Sequence, residues 1–431
     1  MDSNKDRDAS KAPVHGAGQV TAGFLNTDWT PRDLPADAST RNVVLRTQDQ
    51  AATGGALYCP PNGADTVVCI MHPREFMACH YLVPDIVSAG YAAWSQWPRS
   101  VGNDLRLEHE IALFDVAASM AYLREAGFRN VVFLGNSGGS GLYSLYIQQA
   151  ALPPSERIAG TPAGRPTGLA ELEMPQAQGM IFVAPHPGQG ALLMQCIDPS
   201  VTDEKDPFSV DSALDPFSDK NGYRSPKEGA TYAPEFIERY RQAQYERVQR
   251  LDAIAHELVA QRMAARKRVK SAGATQHDKK MAAHTPVMTV WRTDADLNCF
   301  DLSLDPSDRK PGSLWGNNPL ASNYGSVGFA RLCSPESWLS TWSGISSNAL
   351  LEKTLPALTQ PTLLIEYTGD QACFPSTIRK IFNDIAATDK QHERVKGDHH
   401  GRALSSEDEA GRYIAGRLIQ DWLKARFPRK A

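Results

Sequence analysis

The chain has 431 residues, 42% of them hydrophobic and 22% charged, with a formal net charge of −4. That length can bury a large core in about two structural units, and the balanced charge gives no reason to expect nucleic acid or an anionic membrane as a partner. No run approaches the about 18 apolar residues of a membrane span, and the polar start, Met1-Asp2-Ser3-Asn4-Lys5-Asp6, lacks an apolar secretory segment.

Residues 1–38 are polar and rich in Ala, Asp and Pro, and read as an N-terminal arm. Strands are expected near 42–48, 54–59, 66–71, 91–95, 131–134, 179–184, 362–367 and 391–396. Helices should fill the gaps, as over 105–126, where Leu107, Ile111, Phe114, Val116, Met120 and Leu123 recur at helical spacing. Strands alternating with helices imply an α/β fold: a mostly parallel twisted sheet with both faces covered. The seven cysteines are odd in number and scattered, with no C-x-x-C pair. That favours reduced thiols and a cytoplasmic location over a disulfide framework.

A long insertion, 188–355, separates the strand near 179–184 from the one near 362–367. It opens with an irregular Asp/Pro/Ser-rich stretch, 198–230. A helix should then run from Pro234 to Val269, with Phe236, Tyr240, Ala243, Val248, Leu251, Ile254, Leu258 and Met263 on one apolar face and Arg, Glu and Gln opposite. Its basic end (Arg262, Arg266, Lys267, Arg268, Lys270) suits the negative pole of the helix dipole. A CoA-phosphate or oligomer contact is the alternative.

The most chemically pointed segment is Gly135-Asn136-Ser137-Gly138-Gly139. It follows the apolar run Val131, Val132, Phe133, Leu134 and precedes a helical pattern through Leu142, Leu145, Tyr146 and Gln149. The pattern is G-x-S-x-G, a strand that turns sharply at a serine and enters a helix. A serine hydroxyl needs a histidine to take its proton and a carboxylate to orient that histidine. Downstream, the strand 361–367 ends in Thr368-Gly369-Asp370-Gln371, and the strand 391–396 runs into Gly397-Asp398-His399-His400-Gly401. Glu366 competes with Asp370 as the acid and His400 with His399 as the base. All these groups lie at carboxyl ends of expected strands, where open α/β sheets place their sites.

Residues 40–186 and 361–428 resemble the α/β-hydrolase fold, in its dienelactone-hydrolase-like and carboxylesterase-like branch. The resemblance rests on the elbow at Ser137, the T-G-D-Q-x-x-F-P segment at Asp370 and the G-D-H segment at His399. It implies Ser137 as nucleophile, Asp370 as acid and His399 as base. It also implies a core of 39–187 and 356–431 with 188–355 as a cap or lid, mainly helical. One oxyanion donor should be the Gly138 backbone N–H. The second should come from the loop after the third strand. There this chain has His72-Pro73 where many relatives have His-Gly. Proline has no N–H, so the Arg74 backbone N–H is the next candidate.

His72, His186 and Trp97 are tentative substrate-binding residues. Trp94, Trp291, Trp315, Trp338 and Trp342 are expected mainly in the core, with some facing the cavity. No H-E-x-x-H or clustered Cys/His set points to a metal, and no Gly-Lys-Ser/Thr follows the glycine-rich loop. No cofactor is expected. The expected function is hydrolysis of a carboxylic ester, or a lactone or thioester, of a small apolar or aromatic molecule. Acyl transfer or C–C bond hydrolysis on the same triad, or a non-catalytic small-ligand receptor, are the alternatives. Oligomeric state is left open, with a homo-oligomer among the options.

Overall fold

Strands buried on both faces must be apolar at every position, so their side chains are expected to split between two cores by alternation. The computed structural model, which describes residues 33–101, 104–225, 228–326 and 328–429, has this arrangement. The arm expected over 1–38 lies outside the described residues as far as residue 32. Val67, Cys69, Val131, Phe133, Met180 and Phe182 belong to one apolar cluster. Their neighbours Val68, Ile70, Val132, Leu134, Ile181 and Val183 belong to another.

The strands are β1 (Ser39–Arg46), β2 (Ala52–Cys59), β3 (Thr66–Ile70), β4 (Ala92–Trp97), β5 (Asn130–Asn136), β6 (Gly179–Val183), β7 (Thr362–Tyr367) and β8 (Lys390–Val395). They form one eight-stranded sheet in the order β1-β2-β4-β3-β5-β6-β7-β8. β1 and β2 pair antiparallel to each other, and β2 pairs antiparallel to β4. Every pair from β4 to β8 is parallel. All eight strands expected from the sequence are present, with small shifts at their ends.

The longer helices are α1 (Val83–Ser88), α2 (His109–Glu125), α3 (Gly139–Ala151), α4 (Gln189–Cys196), α5 (Pro234–Val269), α6 (Gln276–Ala283), α7 (Pro375–Asp384) and α8 (Gly411–Arg426). Side chains of α2, α3 and α7 fill one core, and those of α1 and α8 fill the other. Among the described residues no helix is long and apolar enough to cross a membrane.

Residues 188–355 leave the sheet after β6 and return before β7. Their only long regular element among the described residues is α5, 36 residues. The stretch 198–230 is held by aspartate turns instead. Asp203, Asp206, Asp211 and Asp215 each accept the backbone N–H two residues on, the local bond that makes Asp a turn former.

α5 is covered more widely than its apolar stripe suggests. Phe236, Tyr240, Val248 and Leu251 are buried as expected, but so are Gln244 and Arg247, while Met263 is exposed. The Arg247 guanidinium bonds Glu204, the Asp198 carbonyl and the Trp291 carbonyl, so its charge is compensated where it is buried. The basic end pairs within the insertion instead, Arg262 with Glu336 and Arg268 with Asp278.

Asp252 joins α5 to the aromatic segment beyond it. Its carboxyl accepts from Trp338 Nε1 at 2.7 Å, Ser343 Oγ at 2.9 Å and Ser346 Oγ at 2.6 Å. An Asp252→Leu variant strands these donors in a buried site and should lose about 2–4 kcal/mol of stability by urea unfolding. A loss near zero would mean that this junction does not hold the segment.

Candidate active site

β5 ends at Asn136, and the chain reverses through Ser137 at φ 52°. This left-handed backbone is rare for a residue with a Cβ. Small neighbours make the turn feasible. A Cβ on Gly135 would come within 2.7 Å of Ser140 Cα, and one on Gly139 would collide with the Met71 carbonyl. The Ser137 N–H donates to the Val183 carbonyl at 3.0 Å, and Asn136 Nδ2 donates to the same carbonyl at 2.9 Å. The elbow is thereby tied to the end of β6.

His399 Nε2 lies 3.0 Å from Ser137 Oγ, and its Nδ1 lies 2.8 Å from Asp370 Oδ2. The other Asp370 oxygen accepts the N–H groups of Ala372 and Cys373 at 2.6 and 3.3 Å. The loops carrying Asp370 and His399 are joined through the Gly369 N–H, which donates to the Gly397 carbonyl at 2.8 Å. Asp398 accepts the N–H groups of His400 and Arg402 and shapes the turn around His399. Of the rival groups, Glu366 binds His392 and Arg394 on the β7–β8 surface. His400 lines the cavity, and its ring is edge-on to His399.

A cavity of about 90 Å³ opens beside Ser137. His72, Arg74, Glu75, Met77, Asn136, His399 and His400 line it from the end of β5 and the loops after β3 and β8. His186, after β6, and residues of 188–355, namely Gln189, Leu192, Leu314, Trp315 and Phe329, complete the lining. Met77, Gln189, Leu192, Leu314 and Phe329 were not singled out from the sequence.

Two expectations need correction. The Arg74 N–H donates to His72 Nδ1 at 3.2 Å and is therefore not aimed at Ser137. The Arg74 guanidinium makes a two-pronged bond to Asp104 and lies over the Trp342 ring. Trp97 does not line the cavity. It stacks with Phe76 and packs over Gly54, where a Cβ would meet its ring at 2.7 Å. A glycine on the neighbouring strand draws the indole down onto the sheet.

The imidazoles differ in electrostatics. Burial opposes the charge on His399, but Asp370, through its charge and hydrogen bond, and Asp398 outweigh it, and the pKa rises above the ordinary 6.5. Burial alone dominates for His186, pushed down to about 3. Burial, reinforced by Arg74, holds His72 well below its ordinary value. Among the described residues no three His, Cys, Asp or Glu side chains form a metal-ligand group.

No family model matches the sequence, and no curated protein matches it. Solved structures similar to this chain include three proteins. One is a DcsB complex with its substrate analogue, at 12% identity over 90% of this chain and 99% of that one, TM-score 0.48. Another is the α/β hydrolase GrgF from Penicillium sp. sh18, at 13% over 90% and 99%, TM-score 0.47. The third is the Pyrococcus furiosus esterase Pf2001, at 9% over 90% and 91%, TM-score 0.44.

An NMR titration of the imidazoles tests the electrostatics. His399 should titrate above 6.5, while His186 stays neutral until about 3. In Asp370→Asn burial and the Arg402 charge, both lowering, are opposed by Asp398 alone, so the His399 midpoint should move down. An unchanged midpoint would mean that Asp370 does not hold its charge. With its antiparallel edge, parallel strands β4 to β8 and a serine elbow after β5, the chain has the α/β-hydrolase fold.

Proposed function

We propose that this protein is a serine hydrolase that cleaves a carboxylic ester, lactone or thioester of a small apolar or aromatic molecule. The observation that carries the reading is the unbroken chain Ser137 Oγ to His399 Nε2 to Asp370 Oδ2, at 3.0 and 2.8 Å, opening onto a cavity. With Nδ1–H donated to Asp370, Nε2 is left bare and faces the serine hydroxyl. As Oγ attacks the substrate carbonyl carbon, its proton passes to Nε2. The carbonyl electron pair moves to oxygen, and the Gly138 N–H stabilises the resulting oxyanion. Collapse expels the alcohol or thiol, which takes the proton from Nε2. Water, deprotonated by the same nitrogen, then attacks the acyl carbon; the C–Oγ bond breaks, the acid leaves, and Nε2 returns the proton to Ser137 Oγ.

In this reading 188–355 is a cap on a core of 39–187 and 356–431. Its side chains Leu192, Leu314, Trp315 and Phe329 give the cavity an apolar wall that suits a small apolar or aromatic group and sheds water from the acyl-enzyme.

A fluorophosphonate probe should label Ser137 in the native chain and leave Ser137→Ala untouched. On p-nitrophenyl butyrate, Ser137→Ala, His399→Ala and Asp370→Asn should each lower kcat by about 10³-fold or more. Near-native rates in His399→Ala would sink the triad. Because the base must be neutral, kcat/KM should fall as pH drops through a midpoint above 6.5. Trp315→Ala should raise KM for aromatic esters by about tenfold with little change for acetyl esters. Equal effects on both would remove Trp315 from the substrate wall.

A further inference from the structure

The loop after β3 meets the elbow helix where α/β hydrolases use a main-chain donor, yet its own main chain is occupied. Pro73 has no N–H to give. The Arg74 and Glu75 N–H groups both donate to one atom, His72 Nδ1, at 3.2 and 3.1 Å. A nitrogen that accepts two N–H groups carries no proton, so the single proton of a neutral imidazole sits on Nε2. The loop thus spends its backbone donors on fixing which tautomer His72 adopts and which way its ring points.

That Nε2 is directed at the elbow. A Cβ on Gly138 would lie 2.6 Å from it, so the imidazole edge rests against the residue whose own N–H is the first oxyanion donor. His72 lines the same cavity as Ser137. Among the described residues Nε2 makes no hydrogen bond. Burial and the nearby Arg74 keep the ring neutral, the form in which an imidazole can act as an electrophile without a standing charge.

We infer that His72 is a catalytic residue whose Nε2–H is the second donor to the oxyanion formed when Ser137 attacks a carbonyl. The inference rests on the serine-hydrolase reading. It moves the donor from a backbone amide to a side chain and gives the Pro73 departure a physical reason. A loop whose amides are turned onto the ring has no need of an N–H at residue 73. A competing group is the Gln189 amide. Its Nε2 lies 3.2 Å from the same Cβ position, and its Oε1 is buried without a partner among the described residues.

Two substitutions separate the functions of the ring. Asn places its amide oxygen where Nδ1 lies and can keep the loop amides satisfied, but nothing of it reaches Nε2. Gln places its amide nitrogen where Nε2 lies but gives up the acceptor. On p-nitrophenyl butyrate, His72→Asn should lower kcat by about 10²–10³-fold while KM changes little, the signature of a donor used only in the transition state. His72→Gln should recover at least about tenfold of that loss. In the native chain, ¹⁵N NMR should find His72 protonated at Nε2 and bare at Nδ1. A proton on Nδ1 would overturn the inference even if the variants fail to fold. So would native kcat in His72→Asn, or a loss of rate in Gln189→Leu that His72→Asn lacks. If the native chain fails to label at Ser137 with fluorophosphonate, the hydrolase reading and this one fall together. Labelling with an unaffected His72→Asn overturns this one alone.

Discussion

A left-handed backbone at a residue with a Cβ costs about 1–3 kcal/mol, and Ser137 adopts one at φ 52°. The strain persists because its surroundings leave no alternative. β5 is paired on both sides, to β3 and to β6, so the strand cannot slide. Its last residues are tied to the Val183 carbonyl at the end of β6. The helix that follows comes so close to the β3 loop that a Cβ at Gly139 would enter the Met71 carbonyl. Relaxing the serine would require unpairing the middle of the sheet. The position of its hydroxyl is therefore set by the most deeply buried part of the molecule, and the other groups of the cavity are arranged around a fixed point.

The Asp370 carboxyl is held differently. Asp370 sits on a loop at the end of β7, and residues of the insertion clamp that loop from outside. Gln371 Nε2 donates to the Lys310 and Gly312 carbonyls. The Gln371 carbonyl receives Cys299 Sγ, and the Thr368 carbonyl receives the Asp308 N–H. Ala372 packs within the apolar cluster of the insertion, and Phe374 within its neighbour. The segment 188–355 thus does two physical things at once: it walls the cavity and it fixes the loop from which a carboxyl reaches His399. A change inside it can therefore alter the geometry at Ser137 without touching the cavity.

Much of this was legible because the informative signals are local. Continuous apolar runs mark strands buried on both faces, and G-x-S-x-G needs its glycines for steric reasons that hold wherever the turn occurs. The residues that closed on Ser137 stood at strand ends in the sequence. What was not legible depends on long-range packing. The use of the Arg74 amide by a ring two residues away, the capture of Trp97 by Gly54 across β2 and β4, and the burial of Arg247 under three partners cannot be read from periodicity. One signal was available but not used. The strands on either side of β5 are both followed within three residues by His-Pro, at His72-Pro73 and His186-Pro187. Once β5 is known to be central, both imidazoles must flank the elbow.

These imidazoles also show how one cavity can hold rings of the same type at different protonation tendencies. Withdrawing an imidazole from water disfavours its cation, and for His186 and His72 little opposes that. The same burial acts on His400, whose proximity to His399 adds repulsion between two cations and drives it down further. Only His399 has a carboxyl against its far nitrogen, and that contact reverses the sign. Of the rings lining the cavity, His399 alone is thus shifted toward holding a proton, and His72, His186 and His400 are shifted toward the neutral form. The discrimination needs no difference in residue type. It follows from where β7 places Asp370, and a carboxyl displaced by one loop residue would leave the cavity lined with imidazoles that burial holds neutral.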